Sequence, residues 1–298
     1  MLTSKTEISH RPTTRIVSTL VVLIGLAISI ASCADQPEPV EENIEPYRVL
    51  TYGLWRNDYD WPQRRDNFIA ALENAQPDIL CLQDVVMTAE ENQVAQIADS
   101  LGYDWRFAST DTTGMGHGVA ILARDSLRST TEHVVGDSLS VAPVITADAD
   151  LGGHQISVYC TMLEPVDTDS AAGHRQVQVE ALAELVDTRR RAQPSIVLGN
   201  FFAEPGAPEL AAIQDVLEDP FADVFGDDRP STQNPFVGHR PRWTSYIFLS
   251  PRFPLNVYGG RLVLNERDDA DIWMSDQFGV VLELLPEREP SRAAAVTP

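Results

Sequence analysis

The chain has 298 residues, 43% of them hydrophobic, and 44 acidic against 22 basic side chains, a formal net charge of −22. That much apolar sequence can build one large domain or two small ones. The acidic excess argues against DNA or RNA as a partner, because nucleic-acid affinity rests on Lys and Arg neutralising phosphates.

Lys5, Arg11 and Arg15 precede an apolar run from Ile16 to Ser32 that closes in Ile30-Ala31-Ser32-Cys33. A positive start, a short hydrophobic segment and small residues before a Cys resemble the lipobox of a bacterial lipoprotein, with cleavage before Cys33 and a lipid on its thiol. An uncleaved anchor is the competing reading, since about 17 apolar residues is near the lower limit for spanning. Ala34, with no Asp in its place, favours the outer membrane by resemblance to known sorting rules. The expected organisation is a signal peptide over 1–32, an acidic Pro-rich tether over 33–46, one domain over 47–286 and a disordered tail over 287–298.

Residues 1–32 carry three basic side chains and one acidic, so the chain without them is at −24. Lys5 is the only lysine, leaving Arg as the sole strong cation of the remainder. Such a surface repels itself at low salt and is screened at high salt, which points to a halophilic or salt-tolerant source. Arg189-Arg190-Arg191 forms a basic run, but it suits the end of a helix, where the dipole favours cations.

Within the domain, strand-like and helical patterns alternate and then give way to strands. Residues 48–55 and 78–83 read as strands, and 64–75 as a helix with Phe68, Ile69 and Leu72 on one face. Thr88 and Glu91 form a capping-box pattern ahead of a helix to about Leu101. Strands follow at 105–108, 118–123, 127–134, 141–149 and 154–163, then a long helix over 171–191 and a strand at 195–198. Strands at 243–249, 257–264 and 279–285 complete the pattern, which fits two packed sheets with helices outside.

Five motifs edge these strands in order: Thr51-Tyr52-Gly53-Leu54, Pro77-Asp78-Ile79-Leu80-Cys81-Leu82-Gln83-Asp84, Cys160-Thr161-Met162-Leu163, Gly199-Asn200-Phe201-Phe202 and Ser275-Asp276-Gln277. Trp61, Arg64, Arg175, Gln178 and the run Gly118–Arg124 stand at supporting positions. Together they resemble the endonuclease/exonuclease/phosphatase superfamily, whose members cut phosphate esters with a divalent metal. The resemblance implies an α/β fold, a four-layer α/β/β/α sandwich of two packed mixed sheets with the site at one end.

The resemblance also shows what has changed. Gly53 stands where the family has an Asn that helps bind metal and phosphate, and Asp84 where it has a metal-binding Glu. Met162 replaces a His that meets the scissile phosphate. Asn200 and Phe202 replace the Asp and Asn of Gly-Asp-Phe-Asn, of which the Asp orients or deprotonates the attacking water. Gln277 replaces the His of Ser-Asp-His, and Ser245 the Asp that would orient that His. Asp276 is kept. Asp84 and Asp276 are therefore the candidate metal ligands, for Mg²⁺ or Mn²⁺ if the protein is active. An amide cannot take a proton, and general-base transfer is typically worth about 10²–10⁴-fold. His117 and His239 lie outside the motifs at places from which either could reach the site. Trp55 and Trp61 are candidates for the cleft wall or, more in keeping with their size, for core packing.

Cys81 and Cys160 sit in apolar runs. Export would permit a disulfide, but counting alternation from Asp84 and Met162 puts the two on different faces, so the expectation is two buried free thiols.

Three functions follow. The first is a degenerate hydrolase domain that binds a small molecule or protein through the old cleft and needs no cofactor. The second is an altered metal-dependent phosphoesterase. The third is a structural envelope protein.

Overall fold

The computed structural model describes residues 44–55, 61–268 and 271–287. Cys33, the apolar run before it, nearly all of the tether and the C-terminal tail lie outside the described residues. Of the two units into which the chain divides, 1–44 and 45–298, only Ile44 of the first is described.

Two βαβ units set the architecture. Strand β1 (Tyr47–Gly53) leads through helix α1 (Trp61–Ala75) to β2 (Ile79–Met87), and β1 and β2 pair in parallel. Later, β7 (His154–Met162) leads through α3 (Asp169–Arg190) to β8 (Ser195–Asn200), again in parallel. A parallel pair requires such a crossover, and here each crossover is a helix.

Antiparallel strands extend each pair. The first sheet runs β10-β11-β1-β2-β4-β3, using β3 (Asp104–Ser109), β4 (Gly116–Ala123), β10 (Leu255–Val263) and β11 (Gly279–Pro286). The second runs β5-β6-β7-β8-β9, using β5 (Arg128–Gly136), β6 (Val141–Leu151) and β9 (Ser245–Leu249).

Alternation along β2 separates two cores. Leu80 and Leu82 join Leu50, Phe68, Leu72, Val94 and Ile97 beneath α1 and α2 (Gln93–Leu101). Ile79 and Cys81 join Val49, Ile121, Val158, Cys160 and Leu198 between the sheets, continuous with Val179, Leu182 and Val186 of α3. Helix, sheet, sheet and helix thus form the four layers expected.

The helix ends follow local chemistry. Thr168 Oγ1 accepts from the Ala171 N–H at 3.2 Å. Asp169 sits in the first turn of α3 and Arg189 and Arg190 in the last, matching the dipole. The capping-box expectation is corrected: α2 begins at Gln93, capped by Asn92 Oδ1 accepting from Ala95 N at 2.9 Å. Thr88 instead accepts from Glu91 N in a turn before the helix. Asn is as good a cap as Thr, and the Thr-x-x-Glu spacing fitted a turn equally well. Between β8 and β9 the sequence offered no assignment; the chain there forms short helices α4 (Ala211–Gln214) and α5 (Phe221–Phe225) and two 3₁₀ turns.

The cysteine expectation is overturned. Cys81 and Cys160 form a disulfide, with Cα atoms 5.6 Å apart, joining β2 to β7 across the sandwich. The alternation count failed because β2 carries a bulge between Gln83 and Val85. Asp84 takes φ 56° there. A bulge inserts an extra residue, so a face read from Asp84 does not carry back to Cys81.

Candidate functional site

Strand ends build the site. Register places Gly53 beside Gln83 at the C-terminal ends of β1 and β2. It places Met162, Asn200 and Ser245 in one row at the ends of β7 and β8 and the start of β9. Ser275-Asp276-Gln277 enters just before β11, next to β1. The carboxyl ends of parallel strands are where open α/β sheets hold ligands. Both parallel pairs here deliver their ends to one place, because Asn200 of the second sheet bonds Gln277 in the loop that leads into β11 of the first.

That bond is the centre of an interlock. Asn200 Nδ2 donates to Gln277 Oε1 at 2.5 Å, and Asn200 Oδ1 accepts from Phe202 N at 3.1 Å. Both side chains are buried. The Gln277 amide lies against Gly53: a Cβ there would stand 2.8 Å from Gln277 Cδ and Nε2, closer than real contacts allow. Ser275 Oγ donates to the Gly53 carbonyl at 2.6 Å, fixing the loop on β1. Gly53, Asn200 and Gln277 are thus complementary. The amide fills the space that a side chain at residue 53 would need.

The backbone keeps a strained shape where the chemistry has changed. Trp55, Asp84 and Phe202 all have positive φ, at 65°, 56° and 50°. Such angles are uncommon outside glycine and for a bulky residue a genuine outlier, so Phe202 holds a conformation that suits the Asn of the resembled motif far better.

A polar segment, Ser231 to Asn234, ties the two sheets further. Thr232 Oγ1 accepts from Thr244 N at 2.9 Å, beside Ser245. Asn234 N donates to the Asp276 carbonyl, and its Nδ2 to the Ser275 carbonyl. Sequence reasoning missed this segment; its only signal was four uncharged polar residues together in a charged loop.

Asp276 gains a partner from the same region. His239 Nε2 stands 3.2 Å from Asp276 Oδ2, and Ser275 Oγ is 3.2 Å from Oδ1. Burial pushes the Asp276 carboxyl above the usual carboxylate range, opposed by His239 and Ser275 and reinforced by the nearby charge of Asp84. The structure therefore brings Asp84 and Asp276 within electrostatic reach of each other. His117 lines a cavity with Asp84 and Met162. Trp61 is buried in the core under α1 with its indole N–H on Gln96, whereas Trp55 is partly exposed.

Two carboxylates can hold a Mg²⁺ that keeps most of its waters. Here Asp276 is already engaged by a histidine and a serine, and the Asn200 amide is spent on Gln277 Oε1 and the Phe202 N–H. Among the described residues no three His, Cys, Asp or Glu side chains converge as a ligand set. The donor set does not fit a divalent ion.

The model of the endonuclease/exonuclease/phosphatase family matches residues 52–276. The chain belongs to that family. Solved structures share its fold at low identity. One is a family member from Bacteroides thetaiotaomicron, with 16% identity, a TM-score of 0.66, and coverage of 80% of this chain and 94% of that one. Another is a functionally unknown conserved protein from Enterococcus faecalis, also at 16% and 0.66, covering 80% of this chain and all of the other. The human Nocturnin catalytic domain with bound sulfate gives 20% and 0.64, covering 82% and 97%. No curated protein matches.

Proposed function

We propose that this protein is a membrane-anchored family member that has lost phosphoester hydrolysis and binds a ligand through the former catalytic cleft. The Gly53–Gln277–Asn200 interlock carries the reading. Two of the positions that the family devotes to catalysis, Asn200 and Gln277, hold amides bonded to each other. Ser245 and Gln277 have changed together, which is the expected pairing: an Asp kept after loss of its imidazole partner would be a buried charge without compensation.

Anchoring rests on the lipobox-like Cys33. The Cys81–Cys160 crosslink supports export, because structural disulfides form and persist in oxidising compartments.

An altered phosphoesterase is the second reading, favoured by the His239–Asp276 pair, which places an imidazole beside a carboxylate near Asp84. One assay separates the two. The purified protein is given an activated phosphodiester and a monoester with Mg²⁺ or Mn²⁺, at low and high salt. The expected outcome is no metal-dependent turnover. Turnover that disappears in Asp84→Ala, Asp276→Ala or His239→Ala would establish the second reading instead.

A further inference from the structure

The long connection between β8 and β9 borders a second cavity, of about 660 Å³. Every described residue lining it falls between Glu204 and Trp243. The cleft positions Asp84, Met162, Asn200, Ser245 and Asp276 are not among them. A cavity of about 150 Å³ accommodates a benzene ring, so this one has room for more than one ring-sized group. It is also of the size that small-molecule pockets have, about 300–1,000 Å³.

Donors are in surplus along its wall. The Arg229 side chain is only 9% exposed; its Nη1 donates to Asp219 Oδ2 at 2.8 Å, and its guanidinium lies over the Trp243 ring, 5.5 Å from the centroid. The Arg242 side chain, 12% exposed, meets Asp167 through Nη1 at 3.0 Å. Beyond these contacts neither guanidinium hydrogen-bonds to a described residue, although each carries five N–H donors. Trp243 is buried, and its indole N–H has no partner among the described residues, whereas a buried Trp N–H usually finds one. Donors of this kind call for a planar, two-oxygen acceptor, the carboxylate that an arginine fork matches. The same wall holds acid. Asp227 is exposed and unpaired among the described residues, while Glu204 is held by Arg240 at 3.2 Å. Pro205, Ala222 and Pro241 complete it with apolar surface. A plain anion would approach a chain of formal charge −22. A zwitterion carries no net charge and offers an acceptor to the arginines and an ammonium to Asp227.

We propose that this cavity is a binding site for a zwitterion of the amino-acid or short-peptide kind, its carboxylate on Arg229 and Arg242, its ammonium toward Asp227 and its apolar body against Trp243 and the two prolines. The room for more than one ring favours a dipeptide over a free amino acid. The site is separate from the former catalytic cleft and does not depend on what that cleft binds.

Calorimetric titration of the full chain in nonionic detergent tests this with the dipeptide Ala-Phe and two derivatives that each lack one charge. Ala-Phe should bind saturably. Its C-terminal amide, without the carboxylate, should bind about tenfold more weakly, and N-acetyl-Ala-Phe, without the ammonium, about threefold more weakly. Arg242→Gln should weaken Ala-Phe about tenfold and leave the amide unchanged. Asp227→Asn, at an exposed position, should weaken Ala-Phe about threefold and leave N-acetyl-Ala-Phe unchanged. Melting curves confirm that each variant is folded. Phenylalanine carries both charges and should bind more weakly than Ala-Phe; equal binding would assign the same site to free amino acids. No saturable Ala-Phe binding, an amide that binds as tightly as Ala-Phe, or folded Arg242→Gln binding Ala-Phe like the wild type would each overturn the inference.

Discussion

The two halves of the cleft have met the loss of catalytic side chains differently. On the Gly53–Gln277–Asn200 side the substitutions answer one another: the residue that lost its side chain makes room for the one that grew an amide, and a third bonds that amide at 2.5 Å. On the Asp84–Met162 side they do not interlock, and a cavity remains. The contrast teaches that a cleft whose family residues have been replaced need not simply collapse. A buried polar group must be satisfied or it costs about 1–3 kcal/mol, so the buried half had to be rebuilt as a hydrogen-bonded unit. The half open to solvent was under no such demand and kept its space.

The largest expected effect lies beneath both halves. The Cys81–Cys160 bridge closes a loop with a sequence separation of 79. Replacing both cysteines with Ser should lower stability by about 4 kcal/mol on chain-entropy grounds. Denaturant unfolding of the two proteins checks this, and the reduced wild type should unfold with the variant.

Next comes the interlock itself. Gly53→Asn forces a side chain onto the Gln277 amide and should cost about 1–3 kcal/mol, the usual range for overpacking. Combined with Gln277→Ala, the loss should fall short of the sum of the two single losses by about 0.5–3 kcal/mol. Additivity in that double-mutant cycle would break the comparison. Met162→Ala, in the open half and partly exposed, should cost about 1 kcal/mol, below the range for a fully buried site. It should add to Gly53→Asn within about 0.5 kcal/mol.

Smaller effects concern charge. The Asp276 carboxyl is raised by burial and by Asp84, against the opposing pulls of His239 and Ser275. A carboxylic acid whose folded pKa exceeds its unfolded value adds stability while protonated and loses it as pH rises through the folded pKa. Melting curves of Asp276→Asn should therefore gain on the wild type as pH climbs from below 3.8, the ordinary Asp value, to neutrality. The smallest predicted change is general: the wild-type melting temperature should rise from low to molar salt as self-repulsion is screened, and a flat or falling trend would remove the halophilic reading.

The fold was legible because its signals are local. Each motif edges a strand, and the apolar residues of 64–75 and 171–191 repeat at helical spacing, so two packed sheets with helices outside could be read from the pattern, while the four-layer order was implied by the family resemblance. The candidate site was legible only as a set of departures. That Gly53 and Gln277 fit each other depends on β1 lying beside β11, a distant pairing that no residue type announces. The disulfide was missed because the bulge at Asp84 broke the alternation used to assign faces. The stretch between β8 and β9 was missed because helices of four and five residues are too short to show periodicity. His239 was named as able to reach the site, and its position against Asp276 follows from the Ser231–Asn234 segment that stitches the loop to β9.

The proposed loss of hydrolysis requires that the catalytic end no longer hold a divalent metal. Calorimetric titration of Mn²⁺ into the wild type and Asp84→Ala tests it most directly. No saturable uptake should distinguish the two proteins. One equivalent of Mn²⁺ bound by the wild type and lost in Asp84→Ala would contradict it.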